Sequence, residues 1–203
     1  MKPSGGNPKL SSVNICVFSS SSDVIEPHFF QAATELGREI ARRGDTLVWG
    51  GCKVGLMGAV ADAAHQRGGR VVGVIPTFMQ ERALAYKDAD EMIATETMRE
   101  RKAEMESRAD AFIALPGGFG TLEEMLEIIT LKQLQQHSKP VIFLDVDSFW
   151  APLASLFDHI LALKFAKPVY RELYAFIPKV PAVFDYLDRY QAPVIASKWF
   201  LTG

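Results

Sequence analysis

The chain has 203 residues, 48% of them hydrophobic and 23% charged, the balance of a globular protein long enough to bury a core without a metal or disulfide staple. Its formal net charge of −2 provides no positive field to draw nucleic acid or an anionic membrane surface, and no apolar run approaches the ~20 residues of a membrane span. The expectation is a cytoplasmic protein with neither nucleic acid nor membrane as partner: a flexible tail over residues 1–12 and a single domain over residues 13–203.

From the amino end, "VNICVFS" (13–19) is a short, nearly continuous apolar run, as expected of a strand buried on both faces. Four serines close it, Ser19 to Ser22, with hydroxyls suited to a ribose or phosphate or simply to a turn. "FFQAATELGREIARRG" then sets Phe29, Ala33, Leu36 and Ile40 on one helical face, with Gly44 as the stop. "TLVWG" (46–50) predicts a second strand, followed by the glycine cluster Gly50, Gly51, Gly55 and Gly58 and by helical spacing in "LMGAVADAAHQRGG".

"RVVGVI" (70–75) predicts a third strand and "EMIAT" (91–95) a weaker one, ahead of a helix in "TMRERKAEMESRAD". "AFIAL" (111–115) is a strand that runs through "PGGFG" into the helix "TLEEMLEIITLKQLQQH". "PVIFLDV" (140–146) and a weaker segment near Ala175 complete the strands, and the tail "APVIASKWFLTG" is apolar enough to pack on the domain or on a partner subunit. Strand and helix alternating in this way imply an α/β protein with a doubly wound, mainly parallel sheet and helices on both faces, whose ligands sit beyond the carboxyl ends of the strands.

The turn "ALPGGFGTLEE" occupies such a position. Three glycines let backbone approach an anion closely, and the free amides at the start of the following helix point toward it with the helix dipole behind them. Thr121 adds a hydroxyl. The implied ligand is a phosphate, most simply that of a nucleotide. No lysine follows Gly120, which excludes a P-loop, and Glu123 stands where the dinucleotide fingerprint needs its last glycine.

Ionisable chemistry gathers nearby: Arg99, Arg101 and Lys102 in "MRERKAEM", then Glu123, Glu124 and Glu127. Helical spacing lets Glu124 and Glu127 share a face while Glu123 points elsewhere. Cys16 and Cys52 lack metal-ligand spacing and are read as thiols, Cys16 within the core; His28, His65, His137 and His159 have surface or helix-packing roles. No metal and no cofactor is expected.

"PGGFGTLEE" (116–124) and "RKAEM" (101–105) together closely resemble the signatures PGGxGTxxE and R-K-A-E-M of the LOG ("Lonely guy") family, phosphoribohydrolases that free a base from cytokinin riboside 5′-monophosphates. The similarity runs from about residue 13 to about residue 167 and includes "GGCKVGLMG" and "GVIP". It implies a homodimeric, Rossmann-like enzyme acting on a nucleoside 5′-monophosphate, AMP or N6-modified AMP. By motif position it makes Arg101 and Glu124 the catalytic pair. Arg101, Lys102, Gly117, Gly118, Phe119, Gly120, Thr121, Leu122 and Glu123 would contact substrate, with Ser21, Gly51 and Met98 as neighbours. Ser20, Cys52, Ala83 and Arg99 depart from the family pattern and bear on which base is accepted. Many relatives carry the label lysine decarboxylase, but no residue here argues for the Schiff-base lysine of pyridoxal chemistry.

The implied reaction cleaves an N-glycosidic bond, with Glu124 beneath a sugar that gains positive charge; Arg101, whose guanidinium does not donate its proton at working pH, either holds Glu124 ionised and aimed or bonds the departing base or phosphate. A non-catalytic nucleotide or molybdenum-cofactor carrier is the alternative; it needs the glycine turns but not the arginine and glutamate.

Overall fold

A computed structural model describes residues 12–82 and 84–195. The tail sequence before Ser12, Ala83 and the apolar segment from residue 196 onward lie outside the described residues.

Among the described residues, seven strands form one all-parallel sheet: β1 (Asn14–Phe18), β2 (Thr46–Trp49), β3 (Arg70–Pro76), β4 (Glu91–Thr95), β5 (Ala111–Ala114), β6 (Val141–Leu144) and β7 (Ala175–Ile177). Their order is β4-β3-β2-β1-β5-β6-β7. The chain thus winds outward from β1 to β4, returns to the far side of β1 as β5, and winds outward again. The reversal falls between β1 and β5, paired Val17 to Ile113 and Phe18 to Ala114, and opens the switch-point crevice at their carboxyl ends.

The helices are α1 (Pro27–Arg43), α2 (Gly55–His65), α3 (Thr77–Gln80), α4 (Met98–Arg108), α5 (Phe119–Gln133), α6 (Ala151–Ala162) and α7 (Val180–Arg189). All seven expected strands are present, including the two weaker ones. The four helical segments read from periodicity became α1, α2, α4 and α5. The four-residue α3 and also α6 and α7 went unread, although proline in the first turn and apolar residues at helical spacing, Val180, Val183 and Phe184 in α7, mark the last two.

Two apolar cores separate the layers. One packs Ile15, Val17, Leu47 and Trp49 of the sheet against Leu36 and Ile40 of α1, Leu56 and Val60 of α2, and Val183 and Phe184 of α7. The other packs Cys16, Phe18, Val48, Phe112 and Phe143 against Met105 of α4, Met125 and Ile128 of α5, and Phe157 of α6. Alternate residues of each central strand face opposite layers, so its run is apolar throughout. Gly44 ends α1 at φ 77°, the left-handed geometry expected of a helix stop. No described helix is long and apolar enough to cross a membrane.

Candidate active site

A cavity of about 540 Å³ opens at the switch point. Its wall comes from four chain segments: Ser19 to Ser22 after β1, Cys52, Val54 and Met57 after β2, Met98 and Arg101 of α4, and Gly118, Phe119, Gly120, Thr121 and Glu124 at the start of α5. Met79 and Leu84 close it from the segment after β3, which is strapped down where Lys53 N donates to Leu84 O and Tyr86 N to Gly51 O.

The amino end of α5 faces this cavity without a capping side chain, and its N-cap is Gly118. The backbone ladder starts only where Leu122 N donates to Gly118 O at 3.0 Å, which leaves the preceding amides directed out of the helix end. Thr121 is buried against Gly117: a Cβ on that glycine would lie 2.1 Å from Thr121 Oγ1, so the turn closes only with hydrogen there.

Arg101 and Glu124 meet at 2.8 Å between Nη1 and Oε1, although they are 23 residues apart in sequence, and both are buried. The start of α4 is fixed by Thr97, whose side chain accepts from Glu100 N, while Glu100 accepts in return from Glu96 N; Arg101 is thereby aimed across the strand ends. Its Nε donates to Val74 O at 3.1 Å. Burial pushes the Glu124 carboxyl above the ordinary glutamate range, and the charge and hydrogen bond of Arg101 pull back against that rise. The result is a buried carboxylate on the cavity wall with a fixed cation beside it. Cys16, beneath the pair, has its thiol pushed well up by burial and then by the charge of Glu124.

Of the residues expected to contact ligand, the structure brings Ser21, Met98, Arg101, Gly118, Phe119, Gly120, Thr121 and Glu124 onto one wall. Gly51, Lys102, Gly117, Leu122 and Glu123 do not line it. The Lys102 ammonium is held by Glu123 and, at 2.8 Å, by Glu127. Burial pulls Lys102 down, but the two carboxylates outweigh it and the net direction is up. This corrects the expected pairing of faces: Glu123 and Glu127, one helical turn apart, share Lys102, while Glu124 turns inward to Arg101. Leu122 packs on the core and Gly51, at φ 70°, lies against Ile75 and Met92.

Among the departures from the family pattern, Cys52 and Ser20 are on the wall and Arg99 is exposed away from it. Ser20 turns its carbonyl to α2 instead of presenting backbone to the cavity, accepting from Leu56 N at 2.9 Å. Sequence reasoning missed Met57, which lies within the second glycine cluster, and Met79 and Leu84, which both follow β3 and carry no motif. It also missed that the Ser19 hydroxyl is buried with no hydrogen-bond partner among the described residues.

A doubly wound sheet with an uncapped, glycine-rich helix start and a buried arginine–glutamate pair at its switch point defines a Rossmann-like protein suited to acid–base chemistry beside a bound anion. The chain belongs to the family whose model, described as "Possible lysine decarboxylase", matches residues 57–187, and which includes the cytokinin riboside 5′-monophosphate phosphoribohydrolases. It is 43% identical over 176 residues to a probable cytokinin riboside 5′-monophosphate phosphoribohydrolase of Oryza sativa subsp. japonica, covering 87% of this chain and 78% of that protein. Identity is also 43% over 177 residues to a cytokinin riboside 5′-monophosphate phosphoribohydrolase of Arabidopsis thaliana, covering 87% and 82%. A solved structure of the molybdenum cofactor carrier protein of Chlamydomonas reinhardtii shares the fold, with a TM-score of 0.67, 22% identity and coverage of 88% of this chain and 97% of that one. At that identity the likeness concerns architecture alone. Among the described residues lining the cavity there is no lysine.

Proposed function

We propose that this protein hydrolyses the N-glycosidic bond of nucleoside 5′-monophosphates, cytokinin ribotides and AMP among them, to a free base and ribose 5-phosphate. One observation carries the reading: the buried Arg101–Glu124 pair opens onto the same cavity as the uncapped amino end of α5. The phosphate sits on the amides of Gly118 to Thr121 and the sugar lies over Glu124. The base lies against the soft apolar wall of Cys52, Met57, Met79, Leu84 and Met98. As the bond from C1′ to the base nitrogen lengthens, the sugar becomes cationic, and the Glu124 carboxylate stabilises it. Glu124 then accepts a proton from the attacking water, whose oxygen bonds to C1′, while the departing nitrogen takes up a proton. Arg101 holds Glu124 ionised and aimed.

Residues 13–203 act, in this proposal, as one catalytic domain in the cytoplasm and as a homodimer. The exposed apolar side chains of Met98, Phe119 and Leu126, beside the cavity and along α5, support a second copy on that face. The test is base release from AMP and from isopentenyladenosine monophosphate, with Arg101→Ala as control. Tight retention of nucleotide without turnover, indifferent to Arg101, would favour a carrier instead.

A further inference from the structure

The guanidinium of Arg101 does more than reach Glu124; it also meets the ends of two strands. Gly50, the residue after β2, stands level with Val74 of β3, since the register pairs Trp49 with Gly73. Arg101 Nε donates to Val74 O, and its outer nitrogen packs over Gly50: a Cβ there would lie 1.8 Å from Arg101 Nη2 and 2.9 Å from its Cζ. Gly50 is absent from the glycines with positive φ, so its backbone would accept any residue. Only the space forbids a side chain, and that space is filled by Arg101 and by Met57 Cε, which the same Cβ would meet at 2.4 Å. Methionine can swing aside, whereas a guanidinium tied to Val74 O and Glu124 cannot move without giving up one of those bonds.

We propose that Gly50 is a positioning residue: its missing side chain is the seat on which Arg101 lies, and this seat keeps the guanidinium in line with Glu124. The seat follows from the geometry, and its consequence for catalysis rests on the hydrolase reading given above. Adding one methyl group at Gly50 lifts the guanidinium off the strand ends and leaves Glu124 buried without its cation. Because the phosphate site at α5 is separate, the effect belongs in kcat more than in KM.

The experiment compares Gly50→Ala, Arg101→Ala and the double variant. Three readouts are used: base release from AMP across pH, thermal midpoint, and exchange protection of the Arg101 side-chain Nε–H by nitrogen-15 NMR. Gly50→Ala is expected to lower kcat by roughly a hundredfold, the scale of an ångström-sized misplacement. It should also move the acid limb to higher pH and abolish protection of the Nε–H. In the Arg101→Ala background the same methyl group should cost no further activity and almost none of the thermal midpoint it costs in the parent. A Gly50→Ala chain that fails to fold while the double variant folds supports the seat; failure of both, additive losses in midpoint, or a protected Nε–H in Gly50→Ala overturns it. If the parent releases no base from any nucleotide, the hydrolase reading fails while the exchange and midpoint measurements still decide the role of Gly50.

Discussion

Two glycine-rich turns lead from a strand into a helix at the same edge of this sheet and both border the cavity, but only one leaves its backbone amides free. At α2 the first amides are already used: Gly55 N donates to Asp23 Oδ1 at 2.8 Å, Leu56 N to Ser20 O at 2.9 Å and Gly58 N to Val54 O at 3.1 Å. At α5 no side chain caps the helix and its first turn forms part of the cavity wall. The α2 turn is therefore a platform that anchors the serine loop, whereas the α5 turn presents donors outward. Glycine content does not distinguish a phosphate site from a structural turn; what already occupies the amides does.

The sharpest way to break this contrast is at Glu124, which belongs to the α5 turn alone. Glu124→Gln should lower kcat on the order of 10³-fold with a folded chain, read as base release from AMP. With the parent, kcat/KM should fall as pH drops through the raised pKa of Glu124, because the ionised form is the active one. Burial places that acid limb above the usual glutamate range, and a limb within that range would show that another group controls the rate.

Next in size is a single substitution made at both turns. Gly55 has φ +59°, and a Cβ there would meet the Ser20 and Ser21 backbone at 2.6 Å and 2.5 Å, so Gly55→Ala should destabilise by roughly 2–4 kcal/mol in denaturant unfolding. A Cβ on Gly120 meets nothing within 4 Å and lies within the helix, so Gly120→Ala should stabilise by about 0.5–1 kcal/mol. The same methyl group projects into the ligand space and should raise KM for AMP about tenfold or more. Equal effects of the two substitutions on stability and on KM would erase the distinction.

The smallest expected effect is at the cap of α2. Asp23→Ala removes the acceptor of Gly55 N and should cost about 1 kcal/mol, seen as a lowered thermal midpoint. KM for AMP should stay within about twofold, because Asp23 is not among the described residues lining the cavity and a surface substitution away from such a feature acts weakly. A large rise in KM would mean that the backbone amides of the α2 turn serve the ligand after all.

The strands, four of the helices and the place of the glycine turn between β5 and α5 were legible because their signals are local: apolar runs of strand length, helical spacing, and glycines placed before a helix. The Arg101–Glu124 pair was named through family resemblance, and a motif carries no distance. Bringing the two within 2.8 Å required α4 and α5 to pack on the same face of the sheet. Tertiary structure alone decided that Lys102 is spent on Glu123 and Glu127, that Asp23 and Ser20 close the α2 turn, and that Gly50 is filled by a guanidinium. Local pattern reports what a segment prefers by itself. Which amide is already bonded, which cation is already paired and which hollow is already full depend on residues tens of positions away, and only the folded chain sets those neighbours side by side.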